Sequence, residues 1–342
     1  MKAAVITGEG TPVVNQVSVD NGWETPTPSS HEVVVRTEAS ALNHLDLWVG
    51  IGMQGLGLEY PRISGSDGCG IVAEVGEEVD DAWIGKRVLL NAAVRQPEPD
   101  IPGVSRIAED IRMIGEHDHG TNAEYFVAPV SNILDVGSVD PIDAAAFGLA
   151  HLTAWRMLVS RAHIREGQTV LITGIGGGAA LAAFNISNHF GCKTIVTSRH
   201  QWKLDRALEL GASEIILDEG NDWSRTVRGM TNKRGVNICV DSVGGPLHLP
   251  CIKSLARGGS LVTCGCTAGA SPHTDLARIF WNQLSVLGST MGDMYEFREV
   301  ISLLESGVKP VIDSVHDATN AQEAFARLES GEQFGKVVIR WM

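Results

Sequence analysis

Positive charge is scarce in this chain: 27 Lys and Arg stand against 41 Asp and Glu over 342 residues, a formal net charge of -14. That balance argues against nucleic acid or an anionic membrane surface as the main partner, and it carries no information about fold. Long apolar runs are also missing, since no uninterrupted stretch reaches membrane-spanning length. The opening Met1-Lys2-Ala3-Ala4-Val5-Ile6 reads as a strand, not as an apolar signal core or an Arg/Ser-rich leader, so a cytoplasmic location is expected. The six cysteines, Cys69, Cys192, Cys239, Cys251, Cys264 and Cys266, include no C-x-x-C pair. Most lie in apolar strands or beside glycines and read as reduced, packed thiols. Internal repeats and low-complexity tracts are absent, and the 91–112 stretch, with Pro97, Pro99 and Pro102, reads as an exposed excursion. What remains is a chain with 44% hydrophobic residues, long enough to build two cores.

Residues 169–178 read Thr-Val-Leu-Ile-Thr-Gly-Ile-Gly-Gly-Gly. A β-branched apolar run enters Gly174, Gly176, Gly177 and Gly178, and Ala179 to Phe184 begins a helix. Strand, glycine turn and helix in that order predict a dinucleotide cradle. The glycines let the backbone approach a pyrophosphate, and the helix start offers free N–H groups and a positive dipole end. A second strand, Thr194 to Thr197, follows about 20 residues on, where the ribose-reading residue belongs. A carboxylate there would repel a 2′-phosphate. This chain has Ser198 and Arg199, with Lys203 one turn into the next helix, so NADPH is favoured over NADH.

From about 151 to 288 the pattern alternates strand and helix. Strands are predicted at 169–173, 193–197, 214–217, 236–240, 260–264 and 285–287, separated by helices such as Lys203 to Leu210 and Leu247 to Ala256. This order implies an α/β fold with a doubly wound parallel Rossmann sheet. The first 150 residues alternate short β runs with turn clusters and suggest a partly antiparallel, barrel-like domain. The tail from 289, with helices at 296–306 and 321–330 and a last strand at 335–339, is too short for its own domain and is expected to return to the first. The predicted domains are therefore 1–150 with 289–342, and 151–288.

Several stretches resemble the medium-chain dehydrogenase/reductase superfamily. They are Gly65-Ser66-Asp67-Gly68-Cys69-Gly70, Gly115-Glu116-His117 through Ala123-Glu124-Tyr125, Leu152-Thr153-Ala154-Trp155, Val240-Asp241-Ser242-Val243-Gly244 and Leu287-Gly288-Ser289-Thr290-Met291-Gly292. The resemblance spans the whole chain and implies a GroES-like β barrel for the first domain. Zinc members of the superfamily place Cys, His and Cys at positions that match Asn43, Ser66 and Leu149 here, none a good zinc ligand. Residues 91–120, where the structural-zinc lobe would lie, contain no Cys. No metal is expected. His44, His117, His119 and His151 show no metal-motif spacing with a third ligand.

Asn43-His44-Leu45-Asp46-Leu47-Trp48 is similar to the Asn-x-x-Asp stretch of the zinc-free branch. The similarity implies that Asn43 lies against nicotinamide and ribose, that Asp46 braces the loop, and that Trp48 offers a flat apolar wall. His44 and Ser66 are the candidate proton donors, with His44 favoured by its titration range. The resemblance also assigns cofactor contacts to Thr153, Ser242, Val243, Cys264, Gly265, Cys266 and Lys336. Asp218, where NADP-using relatives often carry Tyr, opposes a 2′-phosphate unless it points away, so dual use of NADH stays open.

Without zinc a simple alcohol loses its Lewis acid. Hydride addition to a conjugated acceptor spreads charge onto a carbonyl oxygen that hydrogen bonds can stabilise. The expected activity is therefore NADPH-dependent reduction of a quinone or α,β-unsaturated carbonyl, a small-molecule substrate. Two alternatives stand beside it: an alcohol or aldehyde oxidoreductase that lost its zinc, and a cofactor-binding structural protein of the crystallin-like kind. The resemblance suggests a homodimer or homotetramer.

Overall fold

The computed structural model describes residues 1–53, 55–95 and 110–342, so most of the predicted excursion at 91–112 lies outside the described residues. Two compact units divide the chain. Unit 1 is Met1–Leu149 with Gly292–Met342, and unit 2 is Ala150–Met291.

Unit 1 is mostly strand. A seven-stranded sheet runs through Ile133–Asp135, Arg87–Leu90, Gly68–Val75, Glu32–Ala41, Lys336–Arg340 and Ile312–Asp317, with Tyr125–Pro129 also pairing to Glu32–Ala41. A three-stranded sheet joins Val17–Asp20, Ala3–Ile6 and Arg62–Ile63. The tail inserts its last strand antiparallel to Glu32–Ala41, with Val338 opposite Ala41. Helix Ala321–Glu329 makes the parallel crossover between Ile312–Asp317 and Lys336–Arg340. Its buried Ala321, Ala324, Phe325 and Leu328 fall at helical spacing and pack with Ile6, Val17, Val337 and Ile339.

Unit 2 is a six-stranded, wholly parallel sheet in the order Glu214–Leu217, Lys193–Ser198, Thr169–Ile172, Val236–Asp241, Leu255–Thr263, Ser285–Gly288. Numbered along the chain this is 3-2-1-4-5-6, the dinucleotide-binding order. Leu171, Ile195, Ile216, Cys239, Ile252 and Leu261 lie in its core.

The helix predicted at 247–256 is shorter than expected. It runs only over His248–Ser254, because Leu255 turns extended and pairs with Val236, which starts the fifth strand five residues early. No helix among the described residues is long and apolar enough to cross a membrane.

Candidate functional site

In unit 1, Asn43 stands in extended conformation between the strand Glu32–Ala41 and the helix His44–Ile51. Asp46, buried on the first turn, accepts the Asn43 N–H through Oδ2 at 2.7 Å and so fixes where the helix begins. Its other oxygen accepts from Asn122 Nδ2 at 3.3 Å. Asn122 also donates to Ser64 Oγ at 3.1 Å and accepts the Ser40 hydroxyl at 2.8 Å, while Trp341 Nε1 donates to Ser40 at 2.9 Å. Burial pushes the Asp46 carboxyl up to about 6, against the pull of the Asn43 N–H, the Ser64 hydroxyl and the Lys336 charge.

The Asn43 side chain belongs to a second arm of this network. Its Nδ2 donates to Asp67 Oδ2 at 2.8 Å and its Oδ1 accepts from Lys336 Nζ at 2.6 Å. Lys336 also pairs with Asp67 Oδ2 at 2.9 Å, and the two side chains are 5% and 0% exposed. Asp67 Oδ1 takes the Leu149 N–H at 2.6 Å. A Cβ at Gly148 would stand 2.6 Å from that oxygen, which accounts for glycine there.

The other residues expected at this site are differently engaged. Ser66 is buried and donates its hydroxyl to the Ile114 carbonyl at 2.7 Å. His44 is exposed, with its ring edge-on to the half-buried Trp48 at 5.9 Å. Partial desolvation lowers its pKa, which makes the protonated imidazole less populated. His117 and His119 each accept a backbone N–H at Nδ1, from Met113 at 3.1 Å and from Ile63 at 3.2 Å. The three positions matched to zinc ligands hold an amide oxygen facing an ammonium (Asn43), a hydroxyl bonded to a carbonyl (Ser66) and an aliphatic chain (Leu149). That donor set does not suit Zn²⁺. Among the described residues no three His, Cys, Asp or Glu converge as metal ligands.

Unit 2 carries the glycine turn. Gly174 and Gly176 have φ of +65° and +116°, and the helix Gly178–His189 starts at once, with Gly177 as N-cap and Ala179 in the first turn. This bare backbone at a helix start suits a pyrophosphate. Asp241, fully buried at the end of the fourth strand, organises the turn's neighbours. It accepts the Thr173 hydroxyl at 2.6 Å and the N–H groups of Val243 and Gly244 at 3.0 Å each. The next strand's loop is laced to the same place: Cys264 N–H reaches Asp241 O at 3.3 Å, and Ala268 N–H reaches Val243 O at 2.8 Å. Gly265 packs so that a Cβ would lie 3.0 Å from Ser242 O. Cys266 is exposed, and burial pushes the Cys264 thiol up to about 12. Thr153 is buried, with its hydroxyl 3.8 Å from Met291 Sδ.

At the ribose end, Ser198 is buried and its Oγ accepts the His200 N–H at 3.1 Å. Arg199 is exposed, and the Lys203 ammonium sits 5.3 Å from the centroid of the Trp202 ring. Asp218 is hydrogen-bonded through its N–H to Ser198 O at 2.8 Å, but its Oδ1 turns to its own loop and takes the Gly220 N–H at 3.1 Å.

Lys336 thus reaches Asn43 and Asp67, a pairing that sequence reasoning did not foresee. It also passed over Asp67, Asn122 and Asp241 as site residues. For Asp67 and Asp241 a signal existed: Asp67 precedes Gly68 at the start of a strand and Asp241 closes an apolar strand, each within a stretch that carried the resemblance.

The family model described as alcohol dehydrogenase GroES-like domain matches residues 29–138, and that described as zinc-binding dehydrogenase matches 174–306. A crystal structure of an NAD-dependent alcohol dehydrogenase is 34% identical, with a TM-score of 0.90 and 100% of both chains covered. The zinc-type alcohol dehydrogenase-like protein YogA of Leptosphaeria maculans is 29% identical over 92% of each chain. Quinone oxidoreductase of Rattus norvegicus is 24% identical over 92% of this chain and 90% of its own.

Proposed function

The chain belongs to the medium-chain dehydrogenase/reductase superfamily as an oxidoreductase, and from that membership we propose a zinc-independent, NADPH-dependent reductase of quinones or α,β-unsaturated carbonyls. One observation carries this reading: Asn43, at the position of the first zinc ligand, has its carboxamide held between Lys336 and Asp67. A cation already faces that oxygen. Bound NADPH supplies the hydride. In unit 2, Gly174, Gly176 and the start of the helix Gly178–His189 would hold the pyrophosphate, while Asp241 fixes the two loops beside them. Ser198, Arg199 and Lys203 favour a 2′-phosphate, and the turn of Asp218 toward Gly220 lessens its opposition.

In unit 1 the Asn43 amide is polarised by Lys336. Of its two N–H groups one is held by Asp67 and the other only loosely, at 3.4 Å from the Ala41 carbonyl, so that the second is the one to turn to a carbonyl oxygen that gains charge. Unit 1 has no committed acid, since the Ser66 hydroxyl is engaged by the Ile114 carbonyl and desolvation lowers the pKa of His44. The hydroquinone anion or enolate left by hydride addition takes its proton from water, so the reaction does not need one. An alcohol substrate would instead require a base and a Lewis acid. The 34% identity to an NAD-dependent alcohol dehydrogenase nevertheless favours alcohol or aldehyde oxidoreduction as the second reading.

Titration with NADPH and NADH, then oxidation of the tighter binder by a quinone, an enone and an aldehyde with and without chelator, tests both. Chelator-insensitive turnover of NADPH on quinone or enone is expected. Activity confined to alcohols and aldehydes, or abolished by chelator, would sink the reading. Cofactor binding without turnover would indicate a crystallin-like role.

A further inference from the structure

A carboxamide is nearly symmetric in shape and opposite in polarity at its two ends, so an unrestrained Asn presents either end. At Asn43 only one orientation is compatible with the surroundings. Rotation by half a turn would set its NH₂ against the Lys336 ammonium and its oxygen against the Asp67 carboxylate, replacing two attractions with two repulsions. The clamp itself cannot swing aside. Asp67 is fixed at Oδ1 by the Leu149 N–H and at its carbonyl by the Thr121 hydroxyl, 2.7 Å away. Lys336 is 4% exposed and rooted in the strand Lys336–Arg340. An ammonium on Oδ1 also polarises the amide and strengthens its N–H groups as donors.

We propose that Lys336 and Asp67 are positioning residues that act on the reaction through the Asn43 carboxamide, not by touching cofactor or substrate. This rests on the reading above that Asn43 serves the reacting groups. The rival role for Lys336 is direct: among the described residues two of its three N–H donors have a protein acceptor, and the third could reach a ligand.

A double-mutant cycle of Asn43→Ala, Lys336→Met and the pair separates the two, with single-turnover oxidation at saturating NADPH and whichever acceptor class the wild type uses. Lys336→Met is expected to slow hydride transfer about tenfold or more, with NADPH affinity held within about twofold. The double variant should be no slower than Asn43→Ala alone. In the cofactor-free protein, hydrogen exchange of the Asn43 side-chain amide should accelerate in Lys336→Met. Asp67→Asn/Lys336→Met, which leaves no lone buried charge, should repeat the kinetic result if the single variant folds poorly. Multiplying rate losses, about tenfold weaker NADPH binding in Lys336→Met, or no effect of Asn43→Ala would each overturn the proposal. An enzyme active only on alcohols would sink the quinone and enone reading and leave the cycle interpretable.

Discussion

In unit 1, Lys336 meets residues 293 and 269 positions away in sequence, Asn43 and Asp67, to form a buried, charged clamp. In unit 2 the candidate site is built from short stretches at strand ends, 173–179, 241–245 and 264–269, which backbone groups tie together and where one carboxylate, Asp241, gathers N–H groups. The first arrangement depends on charge balance among side chains. The second depends on the absence of side-chain atoms. A site of the first kind should fail when a charge is removed or titrated, and one of the second kind when a methyl group is added.

The largest expected effect is therefore Lys336→Met. It strands the Asp67 carboxylate, 0% exposed, with no cation beside it. Breaking one side of a buried pair costs about 3–5 kcal/mol, whereas removing both charges is often close to neutral. Urea unfolding should show that loss for Lys336→Met and recovery of most of it in Asp67→Asn/Lys336→Met. A single-variant cost under about 1 kcal/mol, the range of exposed pairs, would place the clamp among surface ion pairs and remove the contrast.

Titration gives the next effect. Asp46 has a folded pKa of about 6 against an ordinary 3.8. Well below pH 3.8 it is protonated in both states and shifts nothing. As pH rises from 3.8 toward 6, the unfolded chain gives up this proton while the folded protein keeps it, so stability falls, by about 3 kcal/mol in all. His44 and His119, whose pKa values desolvation lowers, act in the opposite sense and favour the folded state as pH rises. Asp313 keeps its contribution across this window, because the Arg327 fork overcomes burial and holds it at about 2. The difference between wild type and Asp46→Asn isolates the Asp46 term. A difference that stays flat between pH 4 and 6 would mean that Asp46 is not desolvated.

The same contrast governs what could be read from the chain before its structure. Gly174 to Ala179 lie in one continuous run, so their order along the chain is already their arrangement in space. Asn43 and Asp46 are three residues apart, close enough for a helix start to bring the carboxylate to the Asn43 N–H. No local pattern pairs Lys336 with Asp67, because that meeting depends on the register of Val338 opposite Ala41. Asp241 could have been found, as a lone acid closing an apolar strand. Its role in gathering Thr173, Val243 and Gly244 required the parallel register that sets Ile172 beside Val240. The misplaced end of the helix at 247–256 has the same origin, since Leu255 satisfies helical periodicity and is claimed by its partner Val236. His44 is a candidate donor by its place beside Asn43 and its titration range, and the desolvation that lowers its pKa comes from surroundings that residue type does not show.

Gly174→Ala carries the smallest expected effect and tests the unit 2 side of the comparison. With φ at +65°, an L-residue there costs about 1–2 kcal/mol. The added Cβ would also sit 3.0 Å from Val243 Cγ2. Val243 cannot easily retreat, since its N–H is held by Asp241 and its carbonyl by the Ala268 N–H. The variant should lose about 1–2 kcal/mol of stability and bind NADPH about tenfold more weakly, equivalent to about 1.4 kcal/mol. Because no carboxylate changes partner, that loss should be the same at pH 4 and pH 6. A Gly174→Ala penalty that varied with pH as the Asp46 term does would show the glycine turn to be coupled to titrating groups, and the division between a charge-built and a backbone-built site would no longer hold.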